Sequence, residues 1–148
     1  MKEQNFISNS EEETEEIAYN IAKKTSVGTI VALRGNLGAG KTVFARGFAR
    51  GLEIDDIISS PTFTLVKEYQ IDKLNWLYHL DLYRISDADS ALIFGIDEYM
   101  NDPNAIVLIE WPERIDELFL SGTVFIDITR TGDSNRVIKL SLKNPENL

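Results

Sequence analysis

The chain has 148 residues, a formal net charge of −9, no cysteine, and hydrophobic side chains at 43% of its positions. That is enough apolar material for one globular core. It excludes disulfides and zinc–thiolate sites, and no apolar run approaches the ~20 residues of a membrane span. The acidic surplus disfavours a direct grip on a nucleic-acid backbone, so any polyanion is expected to be carried by a partner.

The acidic N-terminal stretch has no apolar core of the kind a secretory leader needs, and a cytoplasmic location is expected. No repeat, linker or low-complexity block divides residues 1–148, which are expected to form a single domain. Residues 5–8 suggest a short strand. Ser10 with Glu13 fits a capping box, and Ile17, Ala18, Ile21 and Ala22 then recur on one helical face. An apolar run at 29–33 ends in Arg34. After a glycine-rich turn, Val43, Phe44, Phe48 and Leu52 line one side of a helix that stops near Gly51. Residues 59–61 read as a loop. Residues 62–70 and 74–83, rich in aromatic and β-branched side chains, read as a hairpin. Residues 87–100 read as a helix broken at Gly95. The continuous apolar run at 105–109 reads as a strand covered on both faces. Residues 123–129 and 136–142 form a second expected hairpin. The fold class is therefore α/β, with parallel and antiparallel pairing mixed in one sheet.

The turn reads GNLGAGKT and matches G-x-x-x-x-G-K-[ST] at Gly35, Gly40, Lys41 and Thr42. Glycines let several backbone N–H groups face one anion, and the helix that follows adds the positive end of its dipole. Lys41 reaches the outer phosphates and the Thr42 hydroxyl suits Mg²⁺. The bland alternative is a glycine turn that merely starts a helix; a strand before and a helix after argue against it. Arg34, Lys41, Arg46 and Arg50 are the nearest thing to a basic patch, thin for a nucleic-acid track.

Nucleotide turnover needs a carboxylate near the metal and a sensor of the γ-phosphate. Glu110 ends the apolar run, at the strand end where open α/β sheets bind ligands; otherwise it is a solvated strand-end acid. Alternation in LYHLDLYR puts His79 and Asp81 on one face. Asp81 could ligate Mg²⁺, hold its water or orient the attacking water, or simply be hydrogen-bonded in the strand. His79 reads as structural. Thr62, behind Pro61, offers a hydroxyl in a switch-like position. Trp111 could cover the site, face a partner or pack in the core.

In order and spacing, GNLGAGKT, SPTFTLVKEY, YHLDLYR, FGIDEY and LIEWPER resemble the blocks of the TsaE (YjeE) family, small bacterial P-loop ATPases needed for the threonylcarbamoyladenosine modification of tRNA. The resemblance implies a single P-loop NTPase domain that binds ATP and Mg²⁺ and hydrolyses ATP slowly alone. It implies work with the TsaD and TsaB proteins, in which TsaD performs the transfer and hydrolysis resets or remodels the complex. It touches tRNA only through that complex, and no membrane is involved. By position, Gly35, Asn36, Leu37, Gly38, Ala39, Gly40, Lys41 and Thr42 hold the phosphates. Thr42 and Glu110 ligate Mg²⁺, with Asp81 a further candidate ligand and an aid to hydrolysis, and Thr62 falls in the switch-like loop. Ser10 and the 131–135 loop, with Gly132, fall where family members approach the adenine. Two rivals share the turn. A nucleoside or nucleotide kinase would need an arginine-bearing lid, which no insertion supplies. A docking module would need ATP occupancy without turnover. A GTPase is disfavoured, since no N-K-x-D tetrapeptide occurs.

Overall fold

The computed structural model describes residues 3–36, 38–55, 58, 65–119 and 122–142. Leu37, Thr62 and the 59–61 loop, all read from the sequence, lie outside the described residues. Seven strands form one sheet, β1 (Gln4–Ser8), β2 (Ile30–Arg34), β3 (Val66–Gln70), β4 (Trp76–Asp81), β5 (Ala105–Glu110), β6 (Val124–Arg130) and β7 (Arg136–Leu142), in the order β1-β7-β6-β2-β5-β4-β3. The central strands β6, β2, β5 and β4 run parallel, while β3, β7 and β1 pair antiparallel at the flanks. The mixed sheet follows from the connections: helical crossovers feed the centre, and the two hairpins finish the edges.

Side chains alternate along the central strands and divide the core in two. Val31, Leu33, Ile106, Leu108 and Ile126 pack under α1 (Glu11–Lys23) and α2 (Lys41–Gly51). Ala32, Val107 and Ile109 pack on the other face under α3 (Ala88–Ile93), α4 (Ile96–Met100) and a kinked 3₁₀ segment (Pro112–Leu118). β5 is buried along its whole length, as a strand covered on both faces must be. Gly95 adopts a left-handed backbone (φ 80°) and breaks α3 from α4. Among the described residues no helix is long and apolar enough to cross a membrane.

Half of the capping box forms, and the return contact lands one residue before the Ser10 cap. The Ser10 Oγ accepts from the Glu13 amide at 3.1 Å, and the Glu13 carboxylate accepts from the Asn9 amide at 3.0 Å. The buried Ser8 and Thr14 hydroxyls share a hydrogen bond at 2.7 Å, fixing the entry to α1.

The expected face of α2 needs correction. Its buried set is Lys41, Phe44, Ala45, Gly47, Phe48 and Ala49, while Val43 and Leu52 are only half-buried. The helix is covered on two sides, by the sheet and by α1, so no single apolar stripe describes it. Gly47 and Gly51 make this possible: a Cβ at Gly47 would run into the Glu15 carbonyl, and one at Gly51 would stand 2.5 Å from the Tyr19 carbonyl. Gly47→Ala is therefore expected to destabilise by about 1–3 kcal/mol, because the backbone clash outweighs the roughly 1 kcal/mol of helix propensity alanine brings. A melting temperature equal to or above that of the wild type would show that α1 shifts aside without cost.

Candidate functional site

Parallel pairing brings the chemistry to one edge. The last residues of β4 and β5 are partners in register, Asp81 with Glu110, and Glu110 also pairs with Leu33 of β2. β2 then runs directly into the glycine turn, residues 35–40, which opens α2 at Lys41. Three chain segments distant in sequence thus end together at the carboxyl edge of the sheet, where α/β folds bind ligands.

Gly38 and Gly40 sit at φ 80° and 109°, a region closed to most side chains, and Gly40 caps α2 without any side-chain hydrogen bond. The first amides of a helix have no intrahelical acceptor, so the start of α2 presents unpaired donors and the positive end of an 11-residue helix dipole. They open into a cleft of about 580 Å³.

Lys41 is nearly buried, yet its Nζ has no hydrogen-bond acceptor among the described residues. It lies over the Trp111 ring, 3.9 Å from the centroid, a cation–π contact that partly replaces lost hydration. Burial lowers the ammonium's pKa, and the charges of Glu110, Asp81 and Glu113 oppose that fall. Trp111 holds a left-handed backbone (φ 60°, ψ 48°), strained for a residue with a side chain and located directly after the buried acid Glu110. Tyr83 packs on the same indole at 5.0 Å.

Asp81 and Glu110 are both buried and both line the cleft. One Asp81 oxygen accepts from the Tyr83 amide at 2.9 Å. Glu110 Oε2 lies 2.6 Å from His79 Nε2, while His79 Nδ1 has no partner among the described residues. A carboxylate oxygen accepts, so the contact places the Nε2–H of His79 as its donor. The chain's only histidine is thus the hydrogen-bond donor that orients Glu110, beyond the structural role read from the sequence.

The exposed Thr42 lines the cleft, and so do Ser10, Thr14, Asp133 and Ser134 at its other end. Gly132 does not line it: its carbonyl accepts from Arg130 and Arg136. Gly35, Asn36 and Ala39 line a shallower groove behind the turn, beside Arg34 and Asp127. The four cations read as a loose patch do not form one. Arg34 is taken by Asp127 in a bidentate pair (2.6 and 3.0 Å), Lys41 is buried, and Arg46 and Arg50 flank Glu15 on α1 at 3.5 and 3.6 Å.

The residues present fit a triphosphate and a divalent cation. A buried amine with no acceptor among the described residues, a helix start with no side-chain cap, and a hydroxyl with two carboxylates provide anion donors beside hard oxygen ligands. Among the described residues the cleft is lined by four carboxylates, Glu11, Asp81, Glu110 and Asp133, and by two cations, Lys41 and Arg136. A bare polyanion would be repelled by that balance, whereas one carrying a divalent cation would not.

A family model described as "Threonylcarbamoyl adenosine biosynthesis protein TsaE" matches residues 8–138. A Bacillus subtilis protein named tRNA threonylcarbamoyladenosine biosynthesis protein TsaE is 42% identical over 138 residues, covering 93% of this chain and 85% of its own length. The protein of that name from Treponema pallidum is 35% identical over 135 residues, covering 91% and 98%. The one from Haemophilus influenzae is 35% identical over 120 residues, covering 81% and 75%. The crystal structure of Bacillus subtilis YdiB superposes with a TM-score of 0.80 at 37% identity, over 95% of this chain and 86% of that one. With glycine turn, strand-end acids and sheet order all in place, these matches identify the chain as a P-loop α/β domain that belongs to the TsaE family.

Proposed function

We propose that this protein is a Mg²⁺-dependent ATPase that serves threonylcarbamoyladenosine formation on tRNA by acting on a TsaD–TsaB complex, without transferring the threonylcarbamoyl group itself. The family name and the names of its relatives support the pathway. The observation that carries the activity is the buried Lys41 ammonium, without an acceptor among the described residues and set at the glycine-capped start of α2 in the cleft that Asp81 and Glu110 also line. A protein keeps such a group at the cost of stability when an anion completes it.

In this reading the amides of residues 38–42 and the Lys41 ammonium take the phosphate oxygens. The Thr42 hydroxyl and Glu110 hold Mg²⁺, with His79 fixing the carboxylate. Asp81, one oxygen tied to the Tyr83 amide, would orient the attacking water and accept its proton as the water oxygen bonds to the terminal phosphorus, the bridging P–O bond breaks and ADP leaves. Magnesium, when bound, neutralises charge on the outer phosphates. The Ser10 helix start and the 132–135 turn take the nucleoside end. Thr62 is proposed as the γ-phosphate sensor from its sequence position alone.

The reading is tested by phosphate release from ATP, for the protein alone and with TsaD and TsaB added. Slow release alone, acceleration by the complex, and loss on chelating Mg²⁺ are expected. Phosphate appearing on a nucleoside instead of in water would make the protein a kinase. Unchanged rates with both partners present would remove the assigned complex.

A further inference from the structure

Arg136 opens β7 and joins its own turn to a part of the cleft 97 to 98 positions away in sequence. Its Nε donates to the Ala39 carbonyl at 2.7 Å and its Nη2 to the Gly38 carbonyl at 3.2 Å. Its Nη1 donates to the carbonyls of Gly132, Asp133 and Asn135 at 3.2, 3.3 and 3.0 Å. All five acceptors are backbone oxygens. Among the described residues no carboxylate forms an ion pair with this guanidinium. A permanently charged planar fork, which would pair well with an acid, is given instead to two turns.

The consequence lies in the peptide plane. In a trans peptide the C=O of one residue and the N–H of the next point in opposite directions. Drawing the Ala39 carbonyl toward Arg136 turns the Gly40 N–H away from it. Drawing the Gly38 carbonyl does the same for Ala39, whose N–H meets the Asn36 carbonyl at 3.0 Å. The Gly40 amide is thus turned by a residue on another strand, while the Ala39 amide is held within the turn. The second turn, 132–135, puts Asp133 and Ser134 into the cleft, and its Asn135 donates to the Asn9 side chain at 2.7 Å, next to the Ser10 cap.

We propose that Arg136 is a positioning residue: it locks the glycine turn in its anion-accepting form and ties that turn to the 132–135 turn, so that both ends of the cleft are set by one side chain. The proposal rests on the nucleotide reading of the cleft, but its first test does not.

Arg136→Lys and Arg136→Gln in the full chain are the variants. Lysine keeps the charge, but one ammonium cannot satisfy carbonyls of both turns. In nucleotide-free protein, amide hydrogen exchange at Ala39 and Thr131, whose N–H groups are bonded within the two turns to Asn36 and Asn135, is expected to quicken together, by about tenfold or more in both variants, while β5 keeps its protection. With Mg·ATP, KM is expected to rise about tenfold in both variants, with kcat within about twofold. Wild-type exchange at Ala39 and Thr131 in both variants overturns the proposal, whatever the protein binds. A wild-type KM restored by lysine overturns it in favour of direct charge contact with the nucleotide. Protection lost throughout the sheet in both variants overturns it in favour of a role in folding alone.

Discussion

Replacing Lys41 with methionine is expected to lower ATP turnover by roughly 100- to 1,000-fold, the scale seen when one preorganised charge-stabilising donor is removed, and to leave the melting temperature unchanged or higher. The two effects come from one fact. The ammonium is nearly buried and has no hydrogen-bond acceptor among the described residues, only the Trp111 ring. Burial lowers its pKa below the ordinary 10.5, so the folded protein holds that proton less tightly than the unfolded chain does. The resulting penalty is present in full below the lowered pKa and fades as pH rises toward 10.5. Methionine keeps the stem and its packing and removes the charge. Thermal melts and phosphate-release rates on the same preparation test this. A lower melting temperature with intact turnover would make Lys41 a structural residue and remove the main support for the nucleotide site.

Glu110→Gln is expected to reduce turnover on a similar scale, roughly 100- to 1,000-fold, while nucleotide affinity changes by less than about tenfold. The amide preserves volume and still accepts from His79 Nε2–H, so β5 and its neighbours have no reason to move. What disappears is a hard anionic ligand, and the Mg²⁺ concentration for half-maximal rate should rise accordingly. His79→Gln, which can still donate an N–H to Glu110, should cost less than Glu110→Gln does. Steady-state rates over a magnesium series separate the two. An unchanged Mg²⁺ requirement in Glu110→Gln would move the metal ligand to Asp81. A His79→Gln loss as large as that of Glu110→Gln would give the imidazole a task beyond orienting the acid.

The parts of the site legible in the sequence are those that local chemistry dictates. Gly35, Gly40, Lys41 and Thr42 fall within eight consecutive residues, and their left-handed and helix-start conformations follow from residue type. Glu110 is legible because it ends an unbroken apolar run, and the carboxyl end of a buried parallel strand is where ligands bind. Asp81 is legible through strand alternation, which gave its face but not its neighbours.

The rest required the fold. Contact between His79 and Glu110 depends on β4 and β5 pairing in one register, and slipping a strand by one residue would exchange its two faces. The basic patch read from Arg34, Lys41, Arg46 and Arg50 failed because Asp127 and Glu15 arrive from other elements and take up the arginines. Gly47 carries no signal in the sequence; only the approach of the α1 backbone shows why nothing larger fits there.

The sequence alone determined an α/β domain with a glycine turn that opens a helix and with strand-end acids, since periodicity, glycine conformation and capping act over a few residues. Tertiary structure decided which groups meet there: Lys41 with Trp111, Glu110 with His79, Arg136 with the glycine turn. Those contacts join residues 31 to 97 positions apart or rest on the burial of a single amine, and strand register and helix packing, which no local pattern encodes, set them.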